Sequence, residues 1–458
     1  MVSDYRDKPT LAMTNLDAVE HALEETKVGQ RLVPSAWLAP FVLVTALFFL
    51  WGVPANLNDI LIRQFMKSFE ITRFEAGMVQ SAYYLGYFLF SLPAALVMRR
   101  FGYKAGLILG LMLYGTGTFL FWPAAIIAKY GFFLFALFVI ASGLAFLETG
   151  ANPFIAQLGD PLSSERRLNF SQAFNPIGAI SGVLIGTAFI FSGVELKPAQ
   201  IDEMKAAHEY NSYLRHETMR VLAPYMVLGC VVILCALLLA RTRFPVIVDR
   251  VSEKSVDSRG PFRQLLEYPN FVWGVLAQFF YVGAQVGTWS YFIQYVQDYV
   301  HVSEKIGGYL LTGTLVAFGI GRFSAAYLMR FFAPNLLMGV YSLANIVLVA
   351  IGVLFPGWLG TGALFLTSFF MSVMFPTIFA LGLKDLGSNT KICGSFLVMS
   401  IIGGAVLTPL MGLISQLTKS MAIAMLVPLC CYLVVSYFAF VGSRKRRMDS
   451  ARSGSGGL

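Results

Sequence analysis

Residues 48–63 read Phe48-Phe-Leu-Trp51-Gly-Val-Pro54-Ala-Asn56-Leu-Asn58-Asp59-Ile-Leu-Ile-Arg63. They lie inside a run, about 39–66, that is otherwise apolar and longer than the roughly 20 residues a helix needs to cross a bilayer. A charge at mid-membrane costs about 2.5–3.5 kcal/mol on insertion scales, so it is kept for a pathway, a partner or a cavity. Asn56 precedes Asp59 by three residues and shares its helix face. Pro54 cannot donate a backbone bond and is expected to bend the helix. The bent, polar stretch reads as the wall of a cavity. A structural alternative stays open: Asp59 pairs with Arg63, one turn on, as an ion pair or gate.

Outward from this stretch, apolar runs recur to the end of the chain. Twelve are long enough to span, at about 39–66, 75–98, 105–125, 131–157, 169–192, 221–241, 271–297, 306–330, 334–355, 359–383, 391–416 and 420–441. Barrel strands would be roughly 10-residue alternating segments, and these runs are continuous. Of the 458 residues, 57% are hydrophobic and 13% charged, against about 25% charged in a soluble domain, and mean hydropathy is +0.68. That composition excludes a soluble multi-domain enzyme, which could not cover its surface, and disorder. The net charge of +9 comes from loops and tails, which suits an anionic membrane face and not nucleic acid. Cys230, Cys235, Cys393, Cys430 and Cys431 lie in or beside apolar runs without metal-type spacing and read as packing residues.

Polar stretches at 193–218 and 242–270 interrupt the pattern, and the second divides it into six plus six. The expected divisions are an N-terminal tail (1–36), a first six-helix bundle (37–241), a central loop (242–270), a second bundle (271–441) and a basic tail (442–458) whose final Ser-Gly-Ser-Gly-Gly-Leu reads as an added linker. The polar first ~35 residues do not suit a cleavable signal peptide. Arg99, Arg100, Lys104, Arg166, Arg167, Arg243–Arg263, Arg330, Lys384, Lys391 and Arg444–Arg447 collect on one side of the membrane. Lys67, Arg73, Lys129, Lys305, Lys419 and the mixed loop 193–218 collect on the other. The richer side is expected to be cytoplasmic, with both termini. The halves echo each other weakly: Leu96–Gly102 after the second span resembles Tyr327–Ala333 after the eighth. Two six-helix repeats with a mid-membrane site between them are the organisation of major facilitator transporters, an all-α membrane fold with pseudo-two-fold symmetry.

The fourth span holds Glu148, the only acid between Lys129 and Asp160, with Asn152 on its face and Pro153 beside it. The fifth contributes Gln172 and Asn175 before Pro176. A carboxyl moved out of water is easier to protonate, and an ionised one accepts strongly from hydroxyls. Glu148 could instead bond structurally to neighbouring helices. In the second half, Gln278, Gln285, Trp289, Tyr291 and Gln294 mark the seventh span and Asn345 the ninth. Amides and flat rings suit a polyol, with Trp289 balanced between substrate contact and interfacial packing. Arg322 in the eighth span is expected to snorkel to, or pair at, the cytoplasmic end. The four histidines lie in tails or loops, and no metal cluster, nucleophile–base pair or phosphate loop appears, which argues against an enzyme.

From about Phe48 to Phe440 the chain resembles the fucose:proton symporter family of the major facilitator superfamily, which includes L-fucose, glucose/galactose and N-acetylhexosamine permeases. The segments that carry the resemblance are Phe48–Trp51 with Asn56–Leu61, Gly77–Tyr87, Leu147–Phe154, Gln172–Asn175, Tyr281–Gln285, Phe375–Phe379 and Ile402–Gly404. The resemblance implies a twelve-helix importer of a neutral monosaccharide by proton symport and alternating access. It would be a monomer in a bacterial-type inner membrane, with no cofactor beyond the coupling proton. It implies proton coupling at Asp59, sugar recognition at Glu148, and a binding amide at Asn175. Asn56, Asn152, Gln172, Gln285, Trp289 and Phe375 complete the candidate site. Three positions depart from the family pattern: Arg63 where an apolar residue or proline is expected, Ala55 for an asparagine, and Phe375 for a tyrosine. An Arg63–Asp59 pair would keep the acid ionised, so an uncoupled facilitator is a second reading, and a membrane-embedded sugar sensor without flux a third.

Overall fold

Lipid offers no hydrogen bonds, so a chain this apolar must satisfy its backbone within helices. The computed structural model describes residues 33–159, 164–245, 268–329, 331–383 and 390–444, and the described chain is helical throughout its spans. Most of the expected N-terminal tail, most of the central loop, Arg330, Lys384 and the end of the basic tail lie outside the described residues, as do the side chains of Arg166, Lys391 and Cys393.

Span 1 is Leu38–Phe69. Spans 2 and 3 form one helical run, Arg73–Phe119, broken at Gly102 (φ 84°, ψ 165°), a left-handed turn that a side chain would strain. Span 4 is Tyr130–Gln157. Span 5 comes in two pieces, Ser164–Gln172 and Phe174–Ile185, followed by a π turn Gly186–Ile190. Pro176 has no N–H for the Gln172 carbonyl, which places the break there. Span 6 is Leu222–Arg241, and span 7 is Pro269–Val300. Spans 8 and 9 are Glu304–Leu328 and Pro334–Leu354. Span 10 splits into Trp358–Met371 and Met374–Gly382, one turn before Pro376, by the same proline effect. Span 11 runs as Thr390–Met399, a tight turn Ser400–Ile402 and Gly403–Thr418, and span 12 ends in Leu426–Phe440. Among the described residues ten helices are long and apolar enough to cross a membrane; one of them is the fused Arg73–Ile127 run. Span 7 is not among the ten, because its glutamines dilute a helix of ample length.

The 193–218 stretch, expected as a loop, folds into two short helices, Pro198–Ala206 and Tyr210–Met219. It lies at the end of the molecule opposite the first and last described residues, Val33 and Arg444; we call the two ends the insertion side and the terminal side. Arg167, counted above as a loop charge, is fully buried and donates to the Ile155 carbonyl.

Prolines inside spans free carbonyls that other helices then occupy. Pro54 leaves the Leu50 carbonyl without an N–H partner, and Tyr114 of span 3 donates its hydroxyl there at 3.0 Å. Pro409 does the same for Ala405, filled by Ser81 of span 2 at 2.6 Å. Spans 1 and 5 approach at glycine: a side chain at Gly178 or Gly182 would collide with the Phe49 or Val53 carbonyl. Across the halves, span 2 packs on span 11 and span 5 on span 8, the exchange that a two-fold relation between six-helix halves demands.

Ionic contacts tie the halves on the insertion side. Lys67 bonds Glu304 of span 8 at 3.1 Å and Glu217 at 3.3 Å, with both acids buried. Arg73 grips both oxygens of Asp298 in span 7, at 2.6 and 2.8 Å, and the Ser415 hydroxyl of span 11. The Tyr291 hydroxyl donates back to the Arg73 carbonyl. Breaking a buried pair by removing one partner costs about 3–5 kcal/mol. Lys67→Met is therefore expected to loosen this closure. In a background without native cysteines, labelling of Gln294→Cys, a buried site beneath the cluster, should rise more than fivefold. Unchanged labelling would show that the cluster does not hold the halves together.

Candidate functional site

Asp59 lies ten residues before the end of span 1, about 15 Å in from the insertion side. It is 3% exposed. Its Oδ1 accepts from Gln80 Nε2 of span 2 at 3.0 Å and from Ser290 Oγ of span 7 at 2.9 Å. The same Gln80 nitrogen donates to Ser290 at 2.9 Å, closing a triangle that joins the two halves. Arg63 is not part of it. Its guanidinium turns to Glu195 at 3.9 Å, so the Asp59–Arg63 pairing does not form. One turn of helix brings the two residues onto one face, but Asp59 is held by donors at the seam while Arg63 reaches toward the insertion.

Glu148 is half-buried, and its carboxyl makes no hydrogen bond or ion pair among the described residues. The amides around it are tied to one another. Asn152 donates to the Glu148 carbonyl at 3.1 Å and accepts from Gln172 at 3.1 Å, which links spans 4 and 5. Asn175 donates to the Phe48 carbonyl at 3.3 Å, which links spans 5 and 1. Asn56 reaches only the Gly52 carbonyl of its own helix, at 3.5 Å. Asn152 and Gln172 are thus joined between spans 4 and 5, Asn175 ties span 5 to span 1, and Asn56 stays on its own helix, while the Glu148 carboxyl is left without a partner among the described residues. Tyr84 of span 2 lies within electrostatic reach of both Asp59 and Glu148.

In the second half the candidate residues stand on spans 7 and 10, with Phe318 of span 8 beside them, and are largely aromatic. Trp289 spends its indole N–H on Ser368 at 3.0 Å and meets Phe318 edge-on at 5.2 Å, so only its ring is left to a ligand. Phe375 is half-buried, 6.4 Å from Tyr281 and 6.5 Å from Phe379. Gln285 is half-buried with no side-chain hydrogen bond among the described residues. Arg322 corrects an expectation: it turns back along span 8 and not toward its end, and it forms no ion pair among the described residues. Its guanidinium lies over the Phe318 ring at 5.0 Å, one turn back, and its Nε is buried without a hydrogen bond among the described residues. The apolar ring on its own helix face holds it at that depth. Among the described residues no cluster of side chains could hold a metal ion.

The sequence reading missed Ser290 and the role of Gln80. Gln80 stood in a quoted segment, so its signal was present; Ser290 gave none beyond standing next to Trp289. It also missed that Lys67 and Glu304, placed in loops, are partners.

Residues 37–406 match the Major Facilitator Superfamily. The chain is 43% identical over 407 residues to the L-fucose-proton symporter of Escherichia coli K12, covering 88% of this chain and 93% of that one. It is 34% identical over 434 residues to the L-fucose-proton symporter of Haemophilus influenzae, covering 90% and 98%. A crystal structure of a major facilitator transporter in the outward conformation, 42% identical, superposes with a TM-score of 0.66 over 90% of this chain and all of that one.

Proposed function

Since the chain belongs to the major facilitator superfamily and, within it, to the fucose:proton symporter family, we propose that it imports a neutral sugar, L-fucose or a related hexose, together with a proton. Asp59 is the proton carrier and Glu148 the chief sugar acceptor. Asn56, Asn152, Gln172 and Asn175 line the site on one half, and Gln285, Trp289 and Phe375 on the other. The observation that carries this reading is the position of Asp59: a carboxyl at the seam, bonded from both halves, is where one proton changes the energy of a movement between them. No cofactor is needed beyond the coupling ion. One chain supplies both walls of the site, which supports a monomer as the working unit.

The divisions expected from sequence, 37–241 and 271–441, then serve as the two rocking bodies. The Lys and Arg bias puts the terminal side in the cytoplasm of a bacterial-type inner membrane. On that orientation the ionic cluster closes the outer end, as an inward-facing carrier would require.

The facilitator reading drew its support from an Arg63–Asp59 pair, and that pair is absent. The deciding experiment puts the chain in weakly buffered vesicles and adds L-fucose, or D-galactose, without an imposed gradient. Symport predicts alkalinisation outside as sugar enters. A flat pH trace during uptake would leave a facilitator, and binding without flux would leave a sensor.

A further inference from the structure

Span 1, Leu38–Phe69, and span 7, Pro269–Val300, are each 32 residues long, and they open the two halves of the chain. Asp59 is residue 22 of the first and Ser290 is residue 22 of the second. Under a two-fold relation these are equivalent positions, and equivalent positions near the axis meet. They do meet, at 2.9 Å, with Ser290 fully buried. The serine also departs from its class. Ser91, Ser142, Ser181 and Ser324 each spend the hydroxyl proton on the carbonyl four residues back in their own helix. Ser290 gives its proton to a carboxylate oxygen in the other half.

We propose that Ser290 is the positioning residue through which the second half of the carrier senses the charge on Asp59. The inference rests on the proton-symport reading above and deepens it. With Asp59 ionised, the bonds from Ser290 and Gln80 are charge-assisted, roughly twice as strong as neutral ones. A proton taken up at Oδ2, which has no protein donor among the described residues, leaves both bonds at Oδ1 in place but neutral. The strap across the seam thus weakens on protonation and tightens on release, and the only second-half member of the triangle is Ser290. Other ionisable groups near Asp59 are otherwise placed. Tyr84 of span 2 lies within electrostatic reach of it and of Glu148 of span 4. Arg63 faces Glu195, Glu217 and Lys67 pair toward the insertion side, and Asp298, the one acid in span 7, is held by Arg73.

The test compares Ser290→Ala and Ser290→Thr with the unmodified full chain in vesicles, using labelled L-fucose and D-galactose. Ser290→Ala is expected to keep sugar exchange within about twofold, to lose at least fivefold in gradient-driven accumulation, and to flatten the pH dependence of uptake. Ser290→Thr, which retains the hydroxyl, should restore both. Parental accumulation and pH profile in Ser290→Ala would overturn the proposal. So would equal loss of exchange and accumulation in both variants, the mark of a merely structural residue. If the unmodified chain moves sugar without protons, the symport reading fails first and takes this inference with it; that outcome is read before any variant.

Discussion

Asp59→Asn should abolish uphill sugar uptake while exchange of sugar across the membrane continues. The amide keeps an acceptor oxygen for Gln80 and Ser290, so the triangle at the seam survives in its neutral form. It carries no titratable proton, so the carrier is fixed in the state that normally follows proton loading. A loaded carrier in that state still turns over from side to side, which is all that exchange requires. Accumulation requires more. One coupled charge brings about 2.3 kcal/mol per 100 mV, enough for roughly 50-fold concentration at that potential. In the variant that ratio should fall to one, with no alkalinisation on sugar addition. The measurement is labelled-sugar accumulation under an imposed potential beside counterflow in the same vesicles. Asp59→Asn vesicles that still concentrate sugar would remove Asp59 from the proton path.

What the sequence made legible is what depends on short-range chemistry. Apolar length over about 20 residues fixed the spans, because no other arrangement satisfies the backbone in lipid. The cluster around Asn56 and Asp59 marked a polar face on span 1, whereas the breaks beside Pro176 and Pro376 were not read from the sequence. The Arg63 expectation shows where such reasoning ends. The one-turn rule sees only one helix, whereas Asp59 is decided by Gln80, 21 positions away, and Ser290, 231 away. Lys67 was legible as a loop cation that orients the chain; its burial against Glu304 depends on how spans 1 and 8 meet across the halves. The equivalence of Asp59 and Ser290 was hidden for a related reason. It appears only when the ends of both helices are known, and a boundary error of a few residues erases it.

Glu148→Gln separates the two carboxyls by giving the opposite pattern. The Glu148 carboxyl has no protein partner among the described residues, while the amides nearest it have already committed donors: Asn152 to a carbonyl, Gln172 to Asn152, Asn175 to Phe48. On the proposed reading, a sugar hydroxyl in this half of the site therefore finds its strongest open acceptor at Glu148. Hydrogen bonds to a charged group are worth about 1.5–3 kcal/mol. Exchanging the carboxylate for an amide of the same size should weaken apparent affinity by roughly 10–150-fold. Exchange and accumulation should fall together, because sugar binding precedes both, and Glu148→Ala should lose both entirely. Half-saturation for counterflow is the direct measurement, with Asp59→Asn run beside it. A Glu148→Gln carrier with unchanged half-saturation but lost accumulation would move Glu148 to the proton path. The amide belt of Asn152, Gln172 and Asn175 would then be left to bind sugar without it.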